Sequence, residues 1–419
     1  MSRCARLVIM TMATLPLGGF EIYAQQPAGN PTPSAVFDTY TPGPCNPNGQ
    51  DRGNCPPGTL ARVRLVPVAT GLNVPRHIAL MPNDRDLLVA ESAGTLLLAR
   101  ADTSETVAVA GWPVAALGVS SLQSVVLHPR FEQNGFVYLY YVKRRADGLT
   151  TMALARGRLR DANLEDVREL FVAEAWVLGG PATGRAAFGP DGMLYLTTND
   201  HDRFFSVSDD SIRKFAQDLG NDLGKVMRLR DDGTAPPDNP FVGRAGARPE
   251  VFTYGHRNAT GLAWLPTTGA IWSTEIGPMA GDELNVLAPG KNYGWPLVSL
   301  GKIYNNQPVS EQSWFRPGME MPEIYWAPSI SPSSLLFYNG ARFPLWKGHL
   351  FITALNGQML QRVAFNQPEP QTERREAMFI GLGRRFRHVI QSADGYLYVA
   401  AERSAEDHSG VVFRVEPAN

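Results

Sequence analysis

One short unit recurs six times after residue 63: a turn of Pro, Asp, Asn and Gly followed at once by an apolar or β-branched strand. It reads MPNDRDLLVAE at 81–91, HPRFEQNGFVYLYYV at 128–142 and GPDGMLYLTTND at 189–200. It returns as LPTTGAIWSTE at 265–275, FPLWKGHLFITAL at 343–355 and SADGYLYVAAE at 392–402. The turn residues supply left-handed or tight backbone, and the residues behind them favour strands. The spacing of about 45–80 residues is too irregular for a solenoid but suits sheet blades joined by loops of unequal length. The prediction is an all-β chain, a six-bladed β-propeller over residues 63–419. A helix is expected only at SIRKFAQDLG (211–220), inside a long insertion between blades.

The N-terminus has different chemistry. Arg3 and Arg6 precede the apolar run LVIMTMATLPLGGF, which ends near Ala24 before Gln25 and Gln26. Residues 1–24 therefore read as a secretory signal, with a run too short to span a bilayer comfortably. Residues 25–62 are rich in Pro, Gly and Asn and read as an extended arm. Of the three cysteines, Cys4 would leave with the signal, while Cys45 and Cys55 bracket NPNGQDRGN and can close a disulfide after export. The expected location is periplasmic or secreted. A net charge of −1 with no block of Lys or Arg excludes nucleic acid or an anionic membrane surface as the main partner.

Several catalytic signatures are absent. The sequence has no GxSxG elbow, no GxxxxGK loop, no HExxH helix and no CxxC pair. GLGRRF at 381–386 lacks the third glycine of a dinucleotide fold. A site must then lie at the propeller axis, built from loops between blades. One such loop stands out in TYGHRNATGLAW (253–264), where His256, Arg257 and Asn258 interrupt a strand-like run.

Three blocks in order, AQDLGNDLGKVMRLRDDGTAPPDNPF (216–241), RPEVFTYGHRNATGLAW (248–264) and STEIGPMAGDELNVLAPGKNYGWP (273–296), resemble the soluble quinoprotein sugar dehydrogenases, the glucose/sorbosone dehydrogenase family. The likeness runs over roughly residues 65–415. It implies a six-bladed propeller that uses pyrroloquinoline quinone (PQQ) and calcium to oxidise an aldose or related polyol or aldehyde, with a periplasmic electron acceptor. In that resemblance Arg257 and Asn258 match the pair at the quinone, with Arg257 catalytic. His256 is expected to point away. Arg385 and Arg387 match the Arg-x-Arg pair at the PQQ carboxylates, with Phe386 facing the other way. Gly277 and Pro278 match the two backbone carbonyls on the catalytic calcium. Glu283 and Tyr293 match a second calcium position. Hard cations take oxygen ligands, and guanidinium forks suit carboxylates.

The pattern also breaks. The family's general base, a His, falls at Pro181 in WVLGGPATGR, a stretch with no His at all. Its Gln falls at Val119 and its PQQ-binding Lys at Asn356. Asp200 remains where the resemblance implies the residue that orients the base, and His201 and His77 are the nearby imidazoles that could replace it. Two alternatives therefore stay open beside the dehydrogenase: a catalytically impaired propeller that binds carbohydrate or protein, and a calcium-dependent lactonase.

Overall fold

The computed structural model describes the backbone of Asp38–Tyr40 and residues 62–101, 103, 105–178, 182–202, 212–303, 306–309, 314–365 and 373–418. The chain divides into Met1–Pro31 and Thr32–Asn419, and everything below belongs to the second unit. The expected signal segment, the Cys45–Cys55 disulfide with nearly all of its arm, and Pro181 lie outside the described residues.

The strands form six antiparallel sheets, each built on four strands and, in five of them, met in chain order. The innermost strands are Pro75–Leu80, Val119–Leu127, Ala186–Phe188, Ala259–Trp264, Pro332–Phe337 and Phe386–Gln391. Each of these packs beside the next, and Phe386–Gln391 packs back against Pro75–Leu80, so the ring closes. This is a six-bladed β-propeller. Its sixth blade is completed from the other end of the chain: Val63–Leu72 pairs with Gly410–Pro417 as the outer strand. That pairing ties the two ends of the described chain together.

All six recurrent turn units sit at the same place, between the first and second strand of a blade. Five of them place a glycine at positive φ (Gly135, Gly192, Gly269, Gly348 and Gly395), and in the first unit Asp84 takes that conformation at φ 59°. Asp is one of the few L-residues that tolerates this region. The second strands behind the turns, such as Leu87–Glu91, Leu194–Thr198, Leu350–Ala354 and Leu397–Ala401, are buried at every residue. Strands covered on both faces need no polar alternation, which explains the continuous apolar runs. Aromatics fill the space between blades: Trp346, Phe351, Phe386 and Phe413 are essentially inaccessible in one cluster spanning blades five and six.

The helix expected at 211–220 is a correction. Among the described residues the segment holds a single 3₁₀ turn, Arg213–Gln217. Its cause is Lys225, whose buried ammonium donates to the carbonyls of Phe215 (2.8 Å), Ala216 (3.2 Å) and Leu223 (2.5 Å). Carbonyls turned inward onto one cation are no longer aligned for an α-helical ladder.

Candidate active site

The turn units mark one face of the ring, so the starts of the inner strands and the loops after the second strands converge on the other. The His256–Asn258 cluster lies there, bridging Val251–Tyr254 of blade three to Ala259–Trp264 of blade four. Gly255 opens the bridge at φ 78°, and a Cβ at that position would sit 2.2 Å from Asn292 Oδ1, so no other residue fits. His256 is fully buried, with Nε2 2.8 Å from Thr253 Oγ1 and Nδ1 3.0 Å from Glu275 Oε2. Its ring stacks on Tyr293 at 4.7 Å. It points into the framework, as the sequence led us to expect.

Glu275 is the clamp of this bridge. Besides His256 it accepts from the backbone N–H of Arg257 and from that of Asn258 at 3.3 Å. Arg257 Nη1 in turn donates to the carbonyls of Ile276 (2.9 Å) and Gly277 (2.8 Å), and its guanidinium lies 5.5 Å from the Trp295 ring. Asn258 Oδ1 accepts from Thr183 Oγ1 at 2.7 Å. Asp200 joins from blade three: its N–H donates to the Arg257 carbonyl, and its Oδ2 accepts from Trp295 Nε1 at 2.7 Å. Burial pushes the Asp200 carboxyl up to about 6, opposed by the positive charge of Arg257.

Next to Arg257 lies a small void of about 10 Å³, lined by Glu275, Gly277, Pro278, Gly281, Glu283, Tyr293 and Trp295 among others. That is room for one water or one cation. Gly277 is held by Asp282 Oδ1 at 2.9 Å from its N–H, and a Cβ on Gly277 would meet the Gly281 carbonyl at 2.3 Å. Glu275 and Glu283 face each other across adjacent strands. Burial, and then the neighbouring charge of Glu275, push Glu283 up to about 8. Two carboxylates opposed in this way, Glu275 buried and Glu283 half-buried, call for a proton or a cation. The Tyr293 hydroxyl is already committed, donating to Val286 O at 2.6 Å and accepting from Ala288 N, so its backbone carbonyl is the oxygen it could offer. Among the described residues no group of three or more His, Cys, Asp or Glu side chains gathers in metal-binding geometry. Any cation here must therefore lean on carbonyls together with Glu283. The donor set is hard oxygen and fits calcium.

Two blades further round the ring, on blade six, Arg385 and Arg387 share one carboxylate. Arg387 pairs with Glu402 through two nitrogens, and Arg385 Nε lies 3.4 Å from Glu402 Oε2. Phe386 between them is fully buried and points away. Asn356, at the position of the missing Lys, accepts from Arg385 Nη1 at 2.9 Å. Val119 opens the inner strand of blade two and carries no polar group.

The two spare imidazoles are poor bases. His201 is inaccessible, sits at φ 56°, makes no hydrogen bond through either ring nitrogen among the described residues, and is pushed down to about 3 by burial. His77 stacks on His388 at 3.7 Å and is held neutral by burial.

Sequence reasoning overlooked Arg185, which holds the axis. From blade three it donates to the carbonyls of Arg76 (3.2 Å), Gln123 (3.3 Å), Thr260 (2.9 Å) and Ser333 (2.7 Å), which belong to blades one, two, four and five. It stands in the GRAAFGPDG block, but backbone acceptors leave no mark in a sequence.

The comparisons with known proteins fit this arrangement. Residues 72–410 match the family described as Glucose / Sorbosone dehydrogenase. The chain belongs to the glucose/sorbosone dehydrogenase family. Among its relatives, Aldose sugar dehydrogenase YliI of Escherichia coli (strain K12) is 35% identical over 86% of this chain and 94% of that protein. Quinoprotein glucose dehydrogenase B of Acinetobacter calcoaceticus is 26% identical over 80% of this chain and 84% of its own length. The PQQ-bound form of an aldose sugar dehydrogenase from Streptomyces coelicolor superposes with a TM-score of 0.65 at 25% identity, covering 86% of this chain and 99% of that one. Family membership accounts for the propeller.

Proposed function

We propose that the protein is a PQQ- and calcium-dependent dehydrogenase that oxidises an aldose or a related sugar, polyol or aldehyde, acting in the periplasm or outside the cell. The observation that carries the reading is the charge layout around the axis. Guanidinium groups stand in excess on blade six, and a carbonyl- and carboxylate-lined void lies beside Arg257 on blade four. The first suits a polycarboxylate and the second a divalent cation.

Arg385 and Arg387 would hold the cofactor's carboxylates, and Arg257 with Asn258 would face its quinone edge. Gly277, Pro278 and Tyr293 would offer carbonyls, and Glu283 its carboxylate, to the one calcium that the void beside Arg257 has room for, so the two positions expected from the sequence merge into one. When bound, PQQ supplies a quinone that accepts the hydride from the carbon bearing the oxidised hydroxyl, and an external acceptor later takes the two electrons. The hydroxyl proton needs a protein acceptor. With Pro181 at the usual base position, Asp200 is the group we assign to it. Its carboxyl is raised by burial to about 6, and it would take the proton by releasing the Asp202 N–H (3.0 Å) from Oδ1 or Trp295 Nε1 (2.7 Å) from Oδ2, whereas His201 near 3 is the weaker base.

The test is an absorbance titration with PQQ at saturating calcium, followed by dye reduction with aldoses across pH. Wild-type rates should rise as pH rises through about 6, because the proton acceptor must be ionised. Asp200→Asn should bind PQQ normally and turn over about 10²–10⁴-fold more slowly. An unchanged rate in that variant refutes the assignment of Asp200. Absence of PQQ binding in the wild type refutes the dehydrogenase.

A second reading, a propeller that binds carbohydrate or protein without turnover, is favoured by Pro181, Val119 and Asn356 standing where the resemblance implies His, Gln and Lys. Among the described residues no helix is long and apolar enough to cross a membrane.

A further inference from the structure

The guanidinium layer extends beyond the Arg385–Arg387 pair. Pro75–Leu80 and Phe386–Gln391 are neighbouring inner strands, locked in register by the stacked rings of His77 and His388. Arg76 and Arg387 each immediately precede one of these rings. The two arginines therefore arrive at the same level of the axis. Arg76 is aimed by two contacts from other segments: its Nε donates to Ser92 Oγ at 3.0 Å, and its Nη1 to Gln123 Oε1 at 3.3 Å. Gln123 is itself steadied by Nε2 donating to Ser121 Oγ at 2.8 Å. It reaches the axis because the pairing of its strand slips between Leu122 and Ser124.

The charges at this level do not balance. Arg76 lies within electrostatic reach of Arg387, Arg385 and Glu402, and Glu402 is already bonded to the other two. Arg185 stands just below and feels both Arg387 and Arg76. Its own donors go to carbonyls, so it brings no carboxylate with it. Burial, and then the repulsion of Arg387, push Arg76 down to about 10. Among the described residues its hydrogen-bond partners are a hydroxyl and an amide, neither of which neutralises it. Three guanidiniums around one carboxylate, with a fourth beneath, make a socket for an anion with more than one negative charge.

We propose that Arg76, aimed by Ser92 and Gln123, is a third cationic contact for the cofactor's carboxylates and takes over the task of the Lys that Asn356 replaces. The inference rests on the reading of the site as a PQQ site. It adds a residue from blade one, which the resemblance does not mark.

The experiment is equilibrium titration of the full-length, signal-processed protein with PQQ at saturating calcium, read by absorbance. Wild type, Arg76→Gln and Arg76→Lys are compared, and each variant is also melted without PQQ. A charge-assisted contact predicts that Arg76→Gln weakens binding about tenfold to a hundredfold. Arg76→Lys keeps the charge but loses the planar fork, and should weaken binding about three- to tenfold. A purely structural role would lower the melting temperature and leave the dissociation constant unchanged. If the wild type binds and both variants bind within twofold of it, Arg76 is not a cofactor contact, while the dehydrogenase reading stands. If Arg76→Gln does not fold, Arg76→Lys decides alone: unchanged affinity overturns the proposal. If the wild type itself does not bind PQQ, the dehydrogenase reading and this proposal fall together.

Discussion

Replacing Arg185 by Met should unfold the propeller more readily than any other single change at the axis. Met matches the aliphatic length of the side chain but removes every donor. Four carbonyls from four other blades then lose their partner: those of Arg76, Gln123, Thr260 and Ser333. A hydrogen bond from a charged donor is worth about 1.5–3 kcal/mol, so four of them set a gross loss near 10 kcal/mol. Much of this is offset, because burial already penalises the guanidinium, whose pKa is pushed down to about 9, with Arg387 and Arg76 adding repulsion. Removing one member of a buried charged network typically costs about 3–5 kcal/mol net, which we take as the expectation. At about 2.1 cal/mol/K of unfolding entropy per residue, a propeller of this size should lose roughly 4–7 °C in apparent melting temperature. Thermal and urea unfolding followed by tryptophan fluorescence would measure it. Arg185→Lys should fall between, since an ammonium on a single stem cannot span four acceptors. A melting temperature for Arg185→Met within 2 °C of wild type would show that the blades are held by their apolar interfaces alone, and the pinning argument would fail.

Two further outcomes are expected. Glu283 has its folded pKa raised to about 8, so without calcium its stabilising contribution is fully present below the unfolded value near 4.5 and is lost as pH rises through 8. Melting in chelator should therefore fall between pH 5 and 8 in the wild type, while Glu283→Gln should lack this component and also lack the calcium-induced rise in melting temperature. Identical profiles for the two proteins would refute the cation assignment. Restoring the three departures together, as Pro181→His, Val119→Gln and Asn356→Lys, should raise PQQ-dependent dye reduction with aldoses. A triple variant no faster than wild type would mean that the native site already has its full complement of groups.

The fold was legible because its signal is local and repeated. Each of the six turn units needs a residue at positive φ and a buried strand behind it, and both requirements are written in residue type. The closing strand was less legible. Val63–Leu72 reads as a strand, but nothing in it says that its partner is Gly410–Pro417 at the far end of the chain. The 3₁₀ turn at Arg213–Gln217 was misread as a helix because SIRKFAQDLG has helical propensity, and Lys225, which redirects its carbonyls, lies beyond the segment. In the candidate site, the resemblance nominates Arg257, Asn258, Arg385 and Arg387 by their side chains and Gly277 and Pro278 by their carbonyls. It does not mark Glu275, Gln123 or Arg185, which act mainly on backbone N–H and C=O groups or only after a strand slips register.

The two halves of the site are out of balance in opposite senses. On blades six and one, guanidiniums crowd round Glu402 with too few carboxylates. On blade four, Glu275 and Glu283 face each other across adjacent strands. Either imbalance alone is unfavourable in a low-dielectric interior. Arg257 lines the void beside Glu275 and Glu283, with its Nη1 on the carbonyls of Ile276 and Gly277. A polyanion and a divalent cation arriving together would neutralise both halves at once. The stability given up in the empty protein is then recovered on binding, which is how a rigid scaffold keeps a site preorganised for charge.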